Sequence, residues 1–357
     1  MIRLSWRQFQ AQVVVAVGLL VAVLILFTTT RGNVDHLYTV FAKANAACVN
    51  NPDCPGVGIQ LTKLDQLLEL IGTALVVVPA LIGMFWGAPL IAREFENGTH
   101  RLAWTQSVTR TRWLGTKLAV VGLVSIVATG MLSLLVTWWS APIDHAHTNR
   151  FGSGLFGERN ITPLGYAAFG FALGVAAGLL IRRTLPAMAA TIVAFLAVRL
   201  TFTYVVRPNI FSPRHKTYAL DPNNMGFGST NGGPATLMPN PPNLPNAWVY
   251  SSHIVDNAGH GLASSTVAAA CPSLPFRGNG GGPPARSGPH VRVATSGGIH
   301  DALHDCVTKL SASYHEVVTY QPANRYWTLQ WGETLVYFAA AVAIAGFCFW
   351  WLRNRAK

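Results

Sequence analysis

The chain has 357 residues, of which 51% are hydrophobic and only 11% charged, and it carries a net charge of +12. A soluble domain holds roughly 25% charged residues, so the composition excludes an ordinary soluble protein, and a mean hydropathy of +0.34 fits a membrane chain. The positive charge suggests nucleic acid as a partner, but its distribution excludes that: twelve of the 26 lysines and arginines crowd into short segments totalling about 45 residues, the positive-inside bias of a membrane protein.

Six apolar segments have the length that a bilayer core of about 30 Å demands. Ahead of the first, Ile2, Trp6 and Phe9 share one helical face, while Arg3, Arg7 and Gln10 share another. That pattern suits a helix lying in the membrane interface. The first span then runs from about Val13 to Thr29 and reads as a retained anchor, since no small-x-small cleavage site follows it. Span two, about Ile71 to Ile91, contains Pro79 and Pro89 and is expected to kink.

Span three covers about Leu118 to Pro142, with Trp138 and Trp139 as interface anchors. Span four, about Leu164 to Ile181, places Gly170, Gly174 and Gly178 four residues apart. Such a stripe lets another helix approach closely, although a bias towards glycine would also produce it. A tight turn, Arg182-Arg183, leads to span five, about Pro186 to Val206. The sixth, about Thr334 to Leu352, ends in Trp350-Trp351 and a basic tail. An even number of spans puts both termini on one side, and the basic ends make that side the cytoplasm.

The expected fold is therefore an all-α polytopic membrane protein of six transmembrane helices. Its domains are residues 1–206 (helices one to five, with a cytoplasmic loop over 92–117), an extracytoplasmic domain over 207–332, and the last helix with its tail over 333–357. Residues 207–332 are rich in Pro, Asn and Gly, with structured stretches at Trp248 to Asp256, Gly261 to Ala270 and Ile299 to Thr319. The last has helical spacing, with Ile299, Leu303, Val307 and Leu310 on one side. This is a loop-heavy domain, read as an outer cap over a translocation path.

Cys48 and Cys54 lie in the first outer loop, and Cys271 and Cys306 lie in the large outer block. Pairs outside and none in the cytoplasmic loops suggest the disulfides Cys48–Cys54 and Cys271–Cys306, with free thiols as the other reading. His300 and His304 sit four apart beside Asp301 and Asp305, and Asp144-His145-Ala146-His147 forms a second cluster. Both read as solvated surface, and no metal site is assigned. No nucleophilic or paired-carboxylate constellation stands out. The dipeptide Gly-Lys occurs nowhere, which excludes a Walker A loop.

Arg199 lies inside span five, where an ionisable group is expensive and faces a cavity or a partner. It contacts a polar substrate on a translocation path, pairs with a carboxylate such as Glu333 or Glu69, or snorkels to the interface.

The loop between spans two and three reads Arg93-Glu94-Phe95-Glu96-Asn97-Gly98-Thr99 and then Thr105-Gln106-Ser107-Val108-Thr109-Arg110. Gly98 breaks the helix leaving the membrane, and Thr99 caps a short one that shows Leu102 and Trp104. This run resembles the second-to-third-span loop of type-2 ABC exporter permeases. The stretch Tyr320 to Trp327, with Gln330 and Glu333, is similar to the start of the last span in their actinobacterial-type branch.

The resemblance implies a half-transporter in the plasma membrane of a bacterium. Two cytoplasmic ATPase subunits would bind ATP and Mg, while this chain binds no cofactor. A second permease subunit, taken as a second copy of this chain, would complete the path through the lipid. Glu94, Glu96, Gly98, Thr99, Leu102 and Trp104 would touch the ATPase. The alternative is a membrane-anchored sensor with residues 207–332 as its receptor.

Overall fold

The structure, a computed structural model, describes residues 2–48, 57–98, 109–146, 151, 156–228, 236–239, 244, 246–272 and 297–354. It divides into two units, Met1–Phe211 with Asn324–Lys357, and Ser212–Ala323.

The first unit is helical. Its elements are α1 (Ile2–Cys48), α2 (Val57–Ile82), a π-helical turn (Gly83–Gly87), α3 (Ala88–Glu96), α4 (Arg110–Ala146), α5 (Thr162–Ile181) and α6 (Thr184–Thr201). A second π-turn (Phe202–Val206) and one α-turn (Arg207–Asn209) extend α6. Among the described residues, six helical stretches are long and apolar enough to cross a membrane: Gln12–His36, Leu70–Glu96, Arg110–Ala141, Thr162–Ile181, Thr184–Asn209 and Ala323–Asn354. The chain is thus a multi-pass membrane protein.

Helix α1 carries the amphipathic start and the first span in one element. It is continuous from Ile2 to Cys48 and runs well past Thr29. The hydroxyls of Thr28, Thr29 and Thr30 donate back to carbonyls one turn earlier, at Leu24, Ile25 and Leu26. Those bonds satisfy the polar side chains without interrupting the helix. Near the middle of α1, Trp139 of α4 stacks on Phe27 at 4.9 Å and donates its indole N–H to Thr30.

Span five's apolar window is 22% buried, span one's 6% and span four's 72%, so α5 is the centre of the bundle and α1 its rim. The glycine stripe explains how α5 holds that place. A Cβ on Gly170 would lie 2.5 Å from the Pro79 carbonyl oxygen, and one on Gly178 2.5 Å from that of Ala88. Gly174 meets the Gly83 carbonyl in the same way, and a Cβ on Gly87 would sit 2.6 Å from the Phe171 oxygen. Spans two and four therefore touch backbone to backbone. The kink expected from the prolines takes the form of the π-turn just after Pro79.

The second unit contains β1 (Arg214–Ala219), β2 (Met225–Gly228), β3 (Thr236–Pro239), β4 (Trp248–Asp256), α7 (Ser264–Ala270), α8 (Gly297–Leu310) and β5 (Tyr314–Gln321). Strand β5 is central, with β1 and β4 antiparallel on either side, and β2 pairs with β3. The unit's core is Leu220, Met225, Leu237, Ile254, Val267, Leu303, Val307 and Leu310, with the Cys271–Cys306 disulfide inside it. The helix expected over Ile299 to Thr319 stops at Leu310. Ser311–Ser313 turn the chain, and the β-branched run Val317-Val318-Thr319 suits a strand.

The chain returns to the first unit through a short 3-10 turn (Ala323–Arg325) and α9 (Tyr326–Asn354). The polar block is consequently narrower than its composition suggests. Helical turns carry span five to Asn209, and the last span begins at Tyr326.

Candidate functional site

The first unit buries four charges together: Glu158, Arg199, Arg207 and Glu333, with side chains no more than 3% exposed. Arg199 donates to Glu333 and to Glu158, each at 3.1 Å, to Tyr166 at 2.6 Å and to Thr203 at 3.0 Å. Arg207 grips Glu333 with both Nε and Nη2 at 2.9 Å, the two-pronged geometry that makes an arginine–carboxylate pair strong. The Tyr166 hydroxyl donates to Glu333. Two arginines balance two glutamates, which is how charge survives in a low-dielectric interior.

Local structure brings these residues together. Arg199 and Arg207 are eight positions apart, which on a regular α-helix would set them about 80° apart around the axis. The π-turn between them absorbs one extra residue, so Arg207 returns to within about 20° of the Arg199 face. On α9, Tyr326, Gln330, Glu333 and Tyr337 follow spacings of four, three and four, forming one inward stripe. Gly157 must stay small, because a Cβ there would strike the Arg199 guanidinium.

The segment before α5 is built into the bundle. Phe156, Glu158 and Arg159 are buried despite lying between two spans. Gln330 donates to the Phe156 carbonyl at 2.7 Å, Asn160 donates to the Tyr326 hydroxyl at 2.8 Å, and Ser133 donates to the Asn160 carbonyl at 2.7 Å. Arg207 lies over the Phe156 ring at 4.6 Å. Burial pushes the Glu158 carboxyl above the usual glutamate range, against the pull of Arg199. Beside it is a cavity of about 10 Å³ lined by Pro79, Thr129, Ser133 and Glu158, enough for one water.

The opposite end of the bundle is more open. Glu94 pairs with Lys117, whose ammonium lies 4.6 Å from the Trp113 ring. The Glu96 carboxylate accepts the Thr184 backbone N–H at 3.2 Å and its hydroxyl at 2.6 Å. Arg182 adopts a left-handed backbone (φ 58°) and sets its guanidinium 5.3 Å from the Phe95 ring. Gly98 has φ 69°, a conformation glycine adopts freely, and the helix stops there.

Of the residues singled out in the sequence, Arg199 takes the carboxylate partner Glu333, and its other donors also end on protein. Glu94 and Glu96 have partners within the chain. Thr99, Leu102 and Trp104 lie outside the described residues, as do Cys54, His147 and the side chains of Cys48, His145 and His300. Sequence reading missed Glu158, Tyr166 and Arg207. Arg207 fell at the edge of an apolar run, and Glu158 stood in a segment that looked solvated. Glu158 had no signal of its own, whereas a second arginine eight residues after Arg199 was a usable one.

A family model described as "ABC-2 membrane transporter related" matches residues 17–207, more than half of the chain. No curated protein and no solved structure matches.

Proposed function

The chain belongs to the ABC-2 membrane transporter related family, and from that premise we propose that it is the membrane subunit of an ATP-driven exporter, coupled to its ATPase through the loop between spans two and three. As a permease subunit it is a transport component rather than a catalyst, and permeases of this family work with ATPase partners. ATP and its magnesium ion are held by those partners, two per transporter, around two copies of this chain in a bacterial plasma membrane. Drugs, antibiotics, peptides or lipids are the substrate classes.

The observation that carries the coupling is the way both ends of the loop are anchored. Helix α3 ends at Glu96, α4 begins at Arg110, and the Glu94–Lys117 pair ties one to the other. A force applied to the residues between them therefore reaches the spans with little slack. Leu102 and Trp104, in the stretch between them, would be the apolar contacts for the ATPase.

Co-purification tests this reading. The wild-type chain should retain an ATP-binding subunit, and Leu102→Ala with Trp104→Ala should reduce the retained amount about tenfold, as expected for losing an apolar anchor. A wild-type chain that retains no ATPase, or a double variant that transports normally, would sink the coupling. The self-contained core of Ser212–Ala323 favours a second reading, a receptor domain. That reading requires ligand binding without transport.

A further inference from the structure

We propose that Glu96 is a positioning residue that passes movement of the coupling loop to span five, a span to which the loop is not joined. This rests on the coupling reading above and assigns its route.

The loop is covalently continuous with spans two and three. The Glu94–Lys117 pair adds a second link between those same two spans. Glu96 differs, because it reaches the first residue of α6. A helix leaves its first backbone N–H groups without partners, and a side chain at the N-cap position usually supplies one. Here the N-cap residue is Arg183, which makes no side-chain cap bond. Glu96 supplies the missing acceptor from another helix, and its negative charge suits the positive end of the α6 dipole.

Two further contacts make α3 and the start of α6 move together. Ala88 and Ala92 of α3 bury against Ala187, three residues into α6. Arg182, in the turn just before α6, covers Phe95 of α3. The π-turn glycines Gly83 and Gly87 and the start of α3, at Ala88 and Ala92, are pinned against α5, so this seam serves as a fulcrum and the last turn of α3 as the arm. A pull on Gly98 tilts that turn about the seam and delivers the motion to Thr184. The cap is solvent-exposed, so it makes and breaks at small cost. Fifteen residues further along the same helix, Arg199 enters the four-charge cluster.

The test compares Glu96→Ala with Glu96→Gln, which keeps an oxygen acceptor for Thr184. In the full chain in detergent, Glu96→Ala should speed amide hydrogen exchange at Thr184 about tenfold, and Glu96→Gln should stay within about twofold of wild type. In the complex with its ATPase, Glu96→Ala should keep the ATPase bound yet transport about tenfold less substrate per ATP hydrolysed, with Glu96→Gln restoring most of it. Exchange at Thr184 that is equal in all three chains overturns the inference and leaves the coupling reading intact. So does normal transport by Glu96→Ala, and so does loss of the ATPase from that variant, which would make Glu96 a docking contact. A wild-type chain without an ATPase overturns the coupling reading and the transmission together, whatever the exchange at Thr184 shows.

Discussion

The two ends of the helical bundle handle charge in opposite ways. Around Glu333, four charged side chains are sealed from solvent and share a tyrosine hydroxyl, so that nearly every donor has a fixed acceptor. Around Glu96, the contact is a solvent-exposed helix cap. Breaking a buried pair strands the remaining charge in a low-dielectric interior, whereas an exposed one is replaced by water at little cost. The first end therefore holds spans four, five and six in one arrangement. The second is suited to giving way and reforming, as a transmission contact must.

The largest test of that contrast is Glu333→Ala, which leaves Arg199 and Arg207 facing each other in the interior. It should cost about 4 kcal/mol of stability, seen as a chain that melts far below wild type in detergent or fails to accumulate. Adding Glu158→Ala should cost much less than a second such loss, since both substitutions disable one network. Additive losses would show that the four charges do not act as a unit.

Gly174→Ala comes next and addresses the fulcrum between the two ends. Its methyl group would press on the Gly83 carbonyl and should cost about 2 kcal/mol by forcing the helices apart. A thermal midpoint equal to wild type would show that the seam gives way. At the open end, Glu96→Ala removes only an exposed helix cap, leaving the melting curve close to that of wild type. A loss as large as that of Glu333→Ala would erase the distinction between the ends.

The smallest effect concerns a buried carboxylate with a hydroxyl instead of a guanidinium beside it. Glu316 in the second unit is 2% exposed and accepts from the Ser252 hydroxyl. Burial pushes its carboxyl above the ordinary value of 4.5, with the Ser252 hydrogen bond opposing. The folded state thus keeps this proton to a higher pH than the unfolded chain does. The side chain's stabilising contribution is complete below the ordinary value and is lost as the pH rises through the raised one. Amide-exchange protection of β4 and β5 should fall across that window and stay flat in Glu316→Gln. A fall of equal size in the variant would assign the pH dependence to another group.

Much of the bundle was legible because bilayer physics is local. A span needs only length and apolarity, so six of them stood out, and the four-residue glycine spacing marked the face that meets Pro79 and Gly83. Arg199 could be flagged from sequence because one charge inside an apolar run is conspicuous. Its partners Glu158 and Arg207 were not, since the first sits in a polar-looking segment and the second at a span's end. The second unit was read as loop-heavy, with structured stretches at 248–256 and 261–270 and a helix over 299–319. Its strands are short and get their stability from cross-strand contacts distant in sequence, as where Glu316 lies opposite Ile254.

By itself, the sequence determined that this is a membrane protein with six spans, basic loops on one side and a polar block between the last two spans. Each of those properties depends on composition within a single stretch of chain. Only the tertiary structure decided that Arg199, Arg207, Glu158 and Glu333 share one buried cluster, and that Glu96, exposed at the other end, caps span five. Those contacts join residues as far as 134 positions apart. No local pattern encodes which distant partner a charge will meet.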